Sequence, residues 1–124
     1  MVATPPVAVI VEDEFLVRME MAESLLGLGW IIVELSSGEA AMAYLERGGR
    51  ADLLITDIRL SGRINGWEVA EQFRTANELV AVIYCSGNPL LEERRVKDSI
   101  FVEKPFHTAK LLAATSAALE HAKH

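Results

Sequence analysis

Four apolar runs in this chain break off at polar residues whose types suit one another chemically. Val7-Ala8-Val9-Ile10-Val11 stops at three acids, Glu12-Asp13-Glu14, and Leu53-Leu54-Ile55-Thr56 stops at Asp57. Val80-Ala81-Val82-Ile83-Tyr84 leads through Cys85 into Ser86-Gly87-Asn88, and Ile100-Phe101-Val102 leads into Glu103-Lys104-Pro105. Taken singly, each is an ordinary residue: an acid favoured by a helix dipole, a loop acid, a turn serine, a surface amine. Together they supply carboxylates, one hydroxyl and one amine.

Physics narrows what such a set could do. Two carboxylates about 4 Å apart repel by roughly 4 kcal/mol at an effective dielectric of about 20, so a cluster needs protons or a cation. Every candidate ligand is an oxygen, which points to a hard cation. Mg2+ (or Mn2+) takes one or two carboxylates and keeps waters for a phosphoryl oxygen. Lys104 would then be a point charge for a second oxygen, and Ser86 a hydrogen-bond donor to a third. A carboxylate in those surroundings is a nucleophile toward phosphorus, giving an aspartyl phosphate. Positioning and charge neutralisation would do most of the catalysis.

The elements between these runs say how the residues meet. After Glu14, Phe15, Met19, Ala22 and Leu26 recur at spacings of three and four, which predicts a helix buried along that stripe and ended by Gly27 and Gly29. Ile31-Ile32-Val33 reads as a second strand. Ser37-Gly38-Glu39 opens a second helix that runs through Tyr44-Leu45 and is closed by Gly48-Gly49. A third helix spans Trp67 to Phe73. Pro89 suits the first turn of a short fourth helix from Leu90 to about Val96. Thr108 is expected to cap a last helix running to about Ala122. Five strands, each followed by a helix, imply parallel pairing through right-handed crossovers. Near-continuous apolar strands fit a sheet covered on both faces. The fold class is therefore α/β: a doubly wound, five-stranded parallel sheet, (βα)5, in one domain over 1–124 with its core at about 7–122. Ligands of such sheets bind beyond the carboxyl ends of the strands, where all four polar endings lie.

Composition bounds the alternatives. The chain has 124 residues and a net charge of -6 from 12 basic and 18 acidic side chains. That balance argues against direct nucleic-acid binding, which needs a concentrated basic face. The one basic run, Arg94-Arg95-Val96-Lys97, directly follows Glu92-Glu93. Cys85 is alone, so neither an internal disulfide nor a cysteine-based metal site is available, and in its apolar run it reads as a small buried hydrophobe. No stretch approaches the roughly 18 apolar residues of a membrane span. With no signal-peptide pattern at Met1 to Pro6, the expected location is cytoplasmic.

The ordered blocks Val-Ile-Val-Glu-Asp-Glu at 9–14, Leu-Ile-Thr-Asp at 54–57, Tyr-Cys-Ser-Gly at 84–87 and Val-Glu-Lys-Pro-Phe at 102–106 resemble the receiver domain of two-component response regulators. The resemblance covers Val7 to about Ala118 and implies a flavodoxin-like strand order 2-1-3-4-5. It implies that Asp57 is the phosphoacceptor and that the metal is held by Asp13, Asp57, Glu12 through a water, and the backbone carbonyl of Arg59. Ser86 matches the hydroxyl that moves to the phosphoryl group, Lys104 the lysine that senses it, and Lys104-Pro105 a cis peptide bond. Phe101 matches the aromatic that turns inward on activation, and Arg59 and Asn88 the two positions that tune phosphoryl lifetime. The donor would be a histidine kinase or histidine phosphotransfer protein. The output would be a protein target or a homodimer through the face built from the fourth helix, the fifth strand and the last helix. Such a protein is not a turnover enzyme; at most it catalyses its own phosphorylation and slow dephosphorylation. The chain departs from the family after the acceptor, where Ser61 replaces a usual proline and the loop to Gly66 is one residue longer.

Three other readings are set against this one. A haloacid-dehalogenase-like, Mg2+-dependent phosphatase would place Asp-x-Asp after the first strand, where this chain has Glu12-Asp13-Glu14-Phe15. A degenerate receiver acting as a phosphorylation-independent scaffold would not need the full polar set. A flavodoxin-like cofactor binder would need a Gly-rich phosphate loop after the first strand, which is missing.

Overall fold

Alternation along each strand decides which layer each side chain joins. The computed structural model describes residues 4–87 and 94–122. β1 (Val7–Val11) pairs in parallel with β2 (Ile31–Leu35) on one side and β3 (Leu53–Asp57) on the other. β4 (Ala81–Ser86) follows β3, and β5 (Ile100–Glu103) closes the far edge, giving the order β2-β1-β3-β4-β5. Val9, Val11, Leu54, Val82 and Tyr84 face one layer; Ala8, Ile10, Leu53, Ile55, Ile83 and Cys85 face the other. β1, β3 and β4 are buried along their whole length, which explains why their sequences show no polar alternation.

Four helices cover the two faces of this sheet among the described residues. α2 (Gly38–Glu46) and α3 (Gly66–Ala76) lie on the first face. Ser37 caps α2 by accepting from the Ala40 amide at 3.0 Å. Asn65 and Glu68 form a reciprocal capping box at the start of α3. α1 (Phe15–Leu26) and α4 (Thr108–Ala122) cover the second face. The cap of α4 differs from the expectation: the His107 carbonyl accepts the Leu111 amide at 3.3 Å, while the Thr108 hydroxyl meets Ser24 of α1 at 3.1 Å.

The buried stripe of α1 is also not the one expected. Met21, Ala22 and Leu25 are buried and Val17 packs beside them, whereas Phe15 is 62% and Leu26 is 58% exposed. α1 carries apolar residues on more than one side, so three-and-four spacing fits two rotations of the helix. The rotation adopted turns Val17 and Met21 toward α4 and brings Arg18 over the end of β1. The short helix expected from Leu90 lies mostly outside the described residues, and Arg94 to Val96 have no regular secondary structure. That segment is fastened to the core as the chain approaches β5: the Val96 amide donates to the buried Tyr84 hydroxyl at 2.9 Å, and Arg74 donates to the Lys97 carbonyl at 2.5 Å.

Cys85 sits near the carboxyl end of β4 with no exposed surface, and burial pushes its thiol up to about 12 from an ordinary 9.0. A raised folded value means the fold keeps a proton that the unfolded chain releases. The associated stability is intact below pH 9 and is lost as pH rises from about 9 to about 12, up to about 4 kcal/mol across that window. Cys85→Ala is expected to flatten the fall of unfolding free energy between pH 9 and 11, measured by urea titration, at a cost of about 1 kcal/mol at pH 7.

Candidate phosphoacceptor site

Strand length sets the site. β1 hands over to Glu12, whose amide still donates to the Leu35 carbonyl at 3.0 Å, so the Glu12 side chain is aimed by the sheet itself. Asp57 is the last residue of β3 and lies opposite Cys85 of β4, one residue before Ser86. The ladder between β4 and β5 continues past its last pair, because the Lys104 amide donates to the Ser86 carbonyl at 2.8 Å. Parallel pairing thus brings the ends of β1, β3, β4 and β5 to one edge.

There the carboxylates of Glu12, Asp13 and Asp57 offer oxygens that all lie within 4.8 Å of one another. Glu12 is fully buried, Asp57 is 8% exposed and Asp13 is exposed. The Lys104 ammonium donates to Glu12 Oε1 at 2.5 Å and to Asp57 Oδ2 at 3.0 Å. Burial raises the pKa of Glu12, and the hydrogen bond from Lys104 only partly offsets it. Burial works against the charge on Lys104 as well, but its bonds to Glu12 and Asp57 outweigh that and raise its pKa. The two directions pull oppositely on the shared proton. The contact distance and the second carboxylate favour an ammonium held between carboxylates at neutral pH.

All three candidate ligands are carboxylates, with oxygens only, and they converge on a spot that one side chain must otherwise neutralise. That donor set fits a hard divalent cation such as Mg2+. Ser86 is buried at the same edge, at the end of β4. Arg59 is exposed in the loop two residues beyond β3. Phe101 stands opposite Tyr84 in the β4–β5 ladder and is half-buried against the α2–α3 layer, away from the carboxylates. The Lys104–Pro105 bond is cis, and Asn88 lies outside the described residues.

The chain's own residues hold the loop after Asp57. The Ser61 amide donates to Asp13 Oδ2 at 3.2 Å, and the Arg63 amide to Glu39 Oε2 at 2.8 Å. The Arg63 bond is the main reason the Glu39 carboxyl is lowered. Gly62 between them has a φ of +94°, a conformation that side chains disfavour. Behind the Asp57 side chain, the Thr56 hydroxyl donates to the Asp57 carbonyl at 2.9 Å and the Gly66 amide to the Ile58 carbonyl at 2.8 Å. Glu39, Ser61, Thr56 and Gly66 were not legible as site residues. Glu39 and Ser61 act through contacts with segments far away in sequence. Gly66 acts through the closeness of the Asp57 backbone, and Thr56 through a bond to its immediate neighbour that residue type alone does not reveal.

Residues 8–116 match the response regulator receiver domain family. The chain belongs to that family. Among curated relatives, the receiver is 31% identical to the transcriptional regulatory protein FixJ of Azorhizobium caulinodans over 89% of this chain and 53% of FixJ. It is also 31% identical to the transcriptional regulatory protein PdtaR of Mycobacterium tuberculosis, over 94% of this chain and 58% of PdtaR. The chain thus spans about half the length of these relatives. Among solved structures, a response regulator receiver protein from Sinorhizobium medicae superposes with a TM-score of 0.89 at 32% identity, covering 95% of this chain and 97% of its own. The receiver domain of the hybrid histidine kinase CckA superposes with a TM-score of 0.77 at 28% identity, covering 91% and 98%. The five-stranded parallel sheet and its order 2-1-3-4-5 hold. Of the five helices of (βα)5, four stand among the described residues, and the expected helix from Leu90 falls mostly outside them. No helix among these residues is long and apolar enough to cross a membrane.

Two substitutions probe how the receiver's site is held. A Cβ at Gly66 would stand 2.0 Å from the Asp57 carbonyl oxygen, which is backbone and has no room to yield. Gly66→Ala is expected to destabilise by about 3 kcal/mol or more in urea titration. Lys104→Met leaves Glu12 and Asp57 facing each other without a counter-charge. The expected loss is about 2 kcal/mol at pH 7, below that of a fully buried pair because Lys104 is 21% exposed. Because the Glu12 carboxyl is raised, that loss should shrink as pH falls and Glu12 protonates, which urea midpoints from pH 7 to pH 4 would follow.

Proposed function

We propose that this receiver accepts a phosphoryl group from a phosphohistidine donor onto Asp57 and so switches a protein-interaction surface. One observation carries the reading: a nearly buried carboxylate stands 3.0 Å from a lysine ammonium and within 4.8 Å of two further carboxylates from another strand end. An isolated surface acid would have no reason for such surroundings. Asp13 and Asp57, with Glu12 through a water and the Arg59 carbonyl, would hold Mg2+ (or Mn2+), which supplies positive charge for a phosphoryl oxygen.

The chain's own residues do the rest. An Asp57 carboxylate oxygen forms the new O–P bond. The P–N bond of the donor breaks, and its imidazole nitrogen leaves with the electron pair and takes up a proton. Lys104, already bonded to Asp57, exchanges that contact for an oxygen of the incoming group, and the Ser86 hydroxyl donates to another. The donor reaches Asp57 beside a groove of about 800 Å3 between α1 and the turn after β5, floored by Val17, Met21, Phe106 and Leu111 and rimmed by Glu14 and Glu20. A histidine kinase or phosphotransfer protein fits this approach.

The modified state biases two arrangements of the surface around β5 and α4, with Phe101 as the moving aromatic, toward a downstream protein or a second copy of the chain. The reading makes the protein a switch rather than a turnover enzyme. Acetyl phosphate with Mg2+ is expected to add one phosphoryl group by intact mass, and Asp57→Asn to abolish the adduct. An Asp57→Asn protein that still gains it would overturn the assignment.

A further inference from the structure

Glu12 is the most buried charged group of the site, and all of its polar atoms are engaged. Its amide donates to Leu35 of β2. Its carboxylate accepts from the Glu14 amide at 3.0 Å and from Lys104 at 2.5 Å. Its backbone carbonyl lies just past the end of β1, where the chain turns into α1, and it accepts from the Arg18 guanidinium at 2.7 Å.

Arg18 is committed to this position from three directions. It stands in the buried stripe of α1, four residues before Ala22 and seven before Leu25. Its Nε lies 3.4 Å from Glu34 Oε1 on β2, and its side chain is only 14% exposed. The guanidinium also sits 5.6 Å over the Phe15 ring, at a distance where the ring face attracts a cation. One side chain therefore ties the start of α1, the end of β1 and the edge strand β2 around a single carbonyl. A carbonyl in a strand-to-helix turn would otherwise go to water, and the peptide that carries it also sets where the Glu12 side chain points. Groups that orient metal-binding carboxylates from behind commonly change metal affinity by tenfold to a hundredfold when removed.

We propose that Arg18 is a positioning residue of the site: by holding the Glu12 carbonyl while anchored on Glu34, it fixes the direction of the Glu12 carboxylate and thereby sets the affinity for the divalent ion. The metal half of this rests on the reading of the site given above; the geometric half does not.

Arg18→Met keeps the length and packing of the side chain and removes its donors, whereas Arg18→Lys keeps a charged donor. Two measurements on the purified chain separate the halves. The first is amide hydrogen exchange without metal, read at Glu14, whose amide donates to the Glu12 carboxylate, and at Ile55 in the centre of β3. Arg18→Met should speed exchange about tenfold at Glu14 and little at Ile55, and Arg18→Lys should restore most of the protection. The second is a Mg2+ titration followed by amide shifts at the site, at a temperature where all variants are folded. Arg18→Met should weaken binding about tenfold or more, with partial recovery in Arg18→Lys. Unchanged exchange at Glu14, or exchange that rises equally at Glu14 and Ile55, would overturn the proposal, as would Mg2+ affinity equal to that of the parent. A parent chain that takes up no Mg2+ would instead sink the functional reading, while the exchange at Glu14 still decides the role of Arg18.

Discussion

Carboxylates from two strand ends crowd one edge of a sheet whose interior is otherwise uncharged, and a single ammonium holds Glu12 and Asp57. Glu12 and Asp57 are nearly or fully buried, and ionised groups so placed are costly unless paired. Lys104 satisfies both at once, at 2.5 and 3.0 Å. In this receiver two buried carboxylates thus depend on one lysine. Any group that adds negative charge at Asp57, or positive charge beside Asp13, must redistribute the contacts of Lys104.

The remainder of the fold serves to keep that edge rigid. Parallel pairing puts the carboxyl ends of β1, β3, β4 and β5 side by side, and the ladder runs on far enough to set the Lys104 backbone against Ser86. Gly66 lets the start of α3 come against the Asp57 carbonyl, where any side chain would collide. The loop between them is fixed at Asp13 and at Glu39 by defined contacts. On the other side, Arg18 closes the turn between β1 and α1. Asp57 is therefore held from behind by backbone and from the front by charge.

The α3 side of the sheet has a different character. Trp67 and Tyr84 pack with ring centroids 4.8 Å apart, and the Tyr84 hydroxyl accepts the Val96 amide. Tyr84 faces Phe101 across the ladder and precedes Ser86 by two residues on the same face of β4. The layer that contains the aromatic residues thus touches both the site's hydroxyl and the segment leading into β5. Phe101 has no hydroxyl, so it rests on packing, and the fully buried phenolic hydroxyl of this layer belongs to Tyr84.

Sequence alone determined the class of fold and the polar strand endings that make up the core of the site. Buried parallel strands are continuous apolar runs, and the polar residues that end them stand out by contrast; Glu12, Asp13, Asp57, Ser86 and Lys104 were legible for that reason. Capping chemistry placed the start of α2 because Ser37 acts on its own neighbours. Only the tertiary structure decided which rotation α1 adopts, since its apolar residues fit two, and with it the partner of the Glu12 carbonyl. It likewise decided the hold of Glu39 and Asp13 on the loop, the tightness at Gly66 and the anchoring of Val96 by Tyr84. Periodicity and local propensity report on residues a few positions apart. These contacts join residues brought together by the packing of the whole chain, and no local pattern records them.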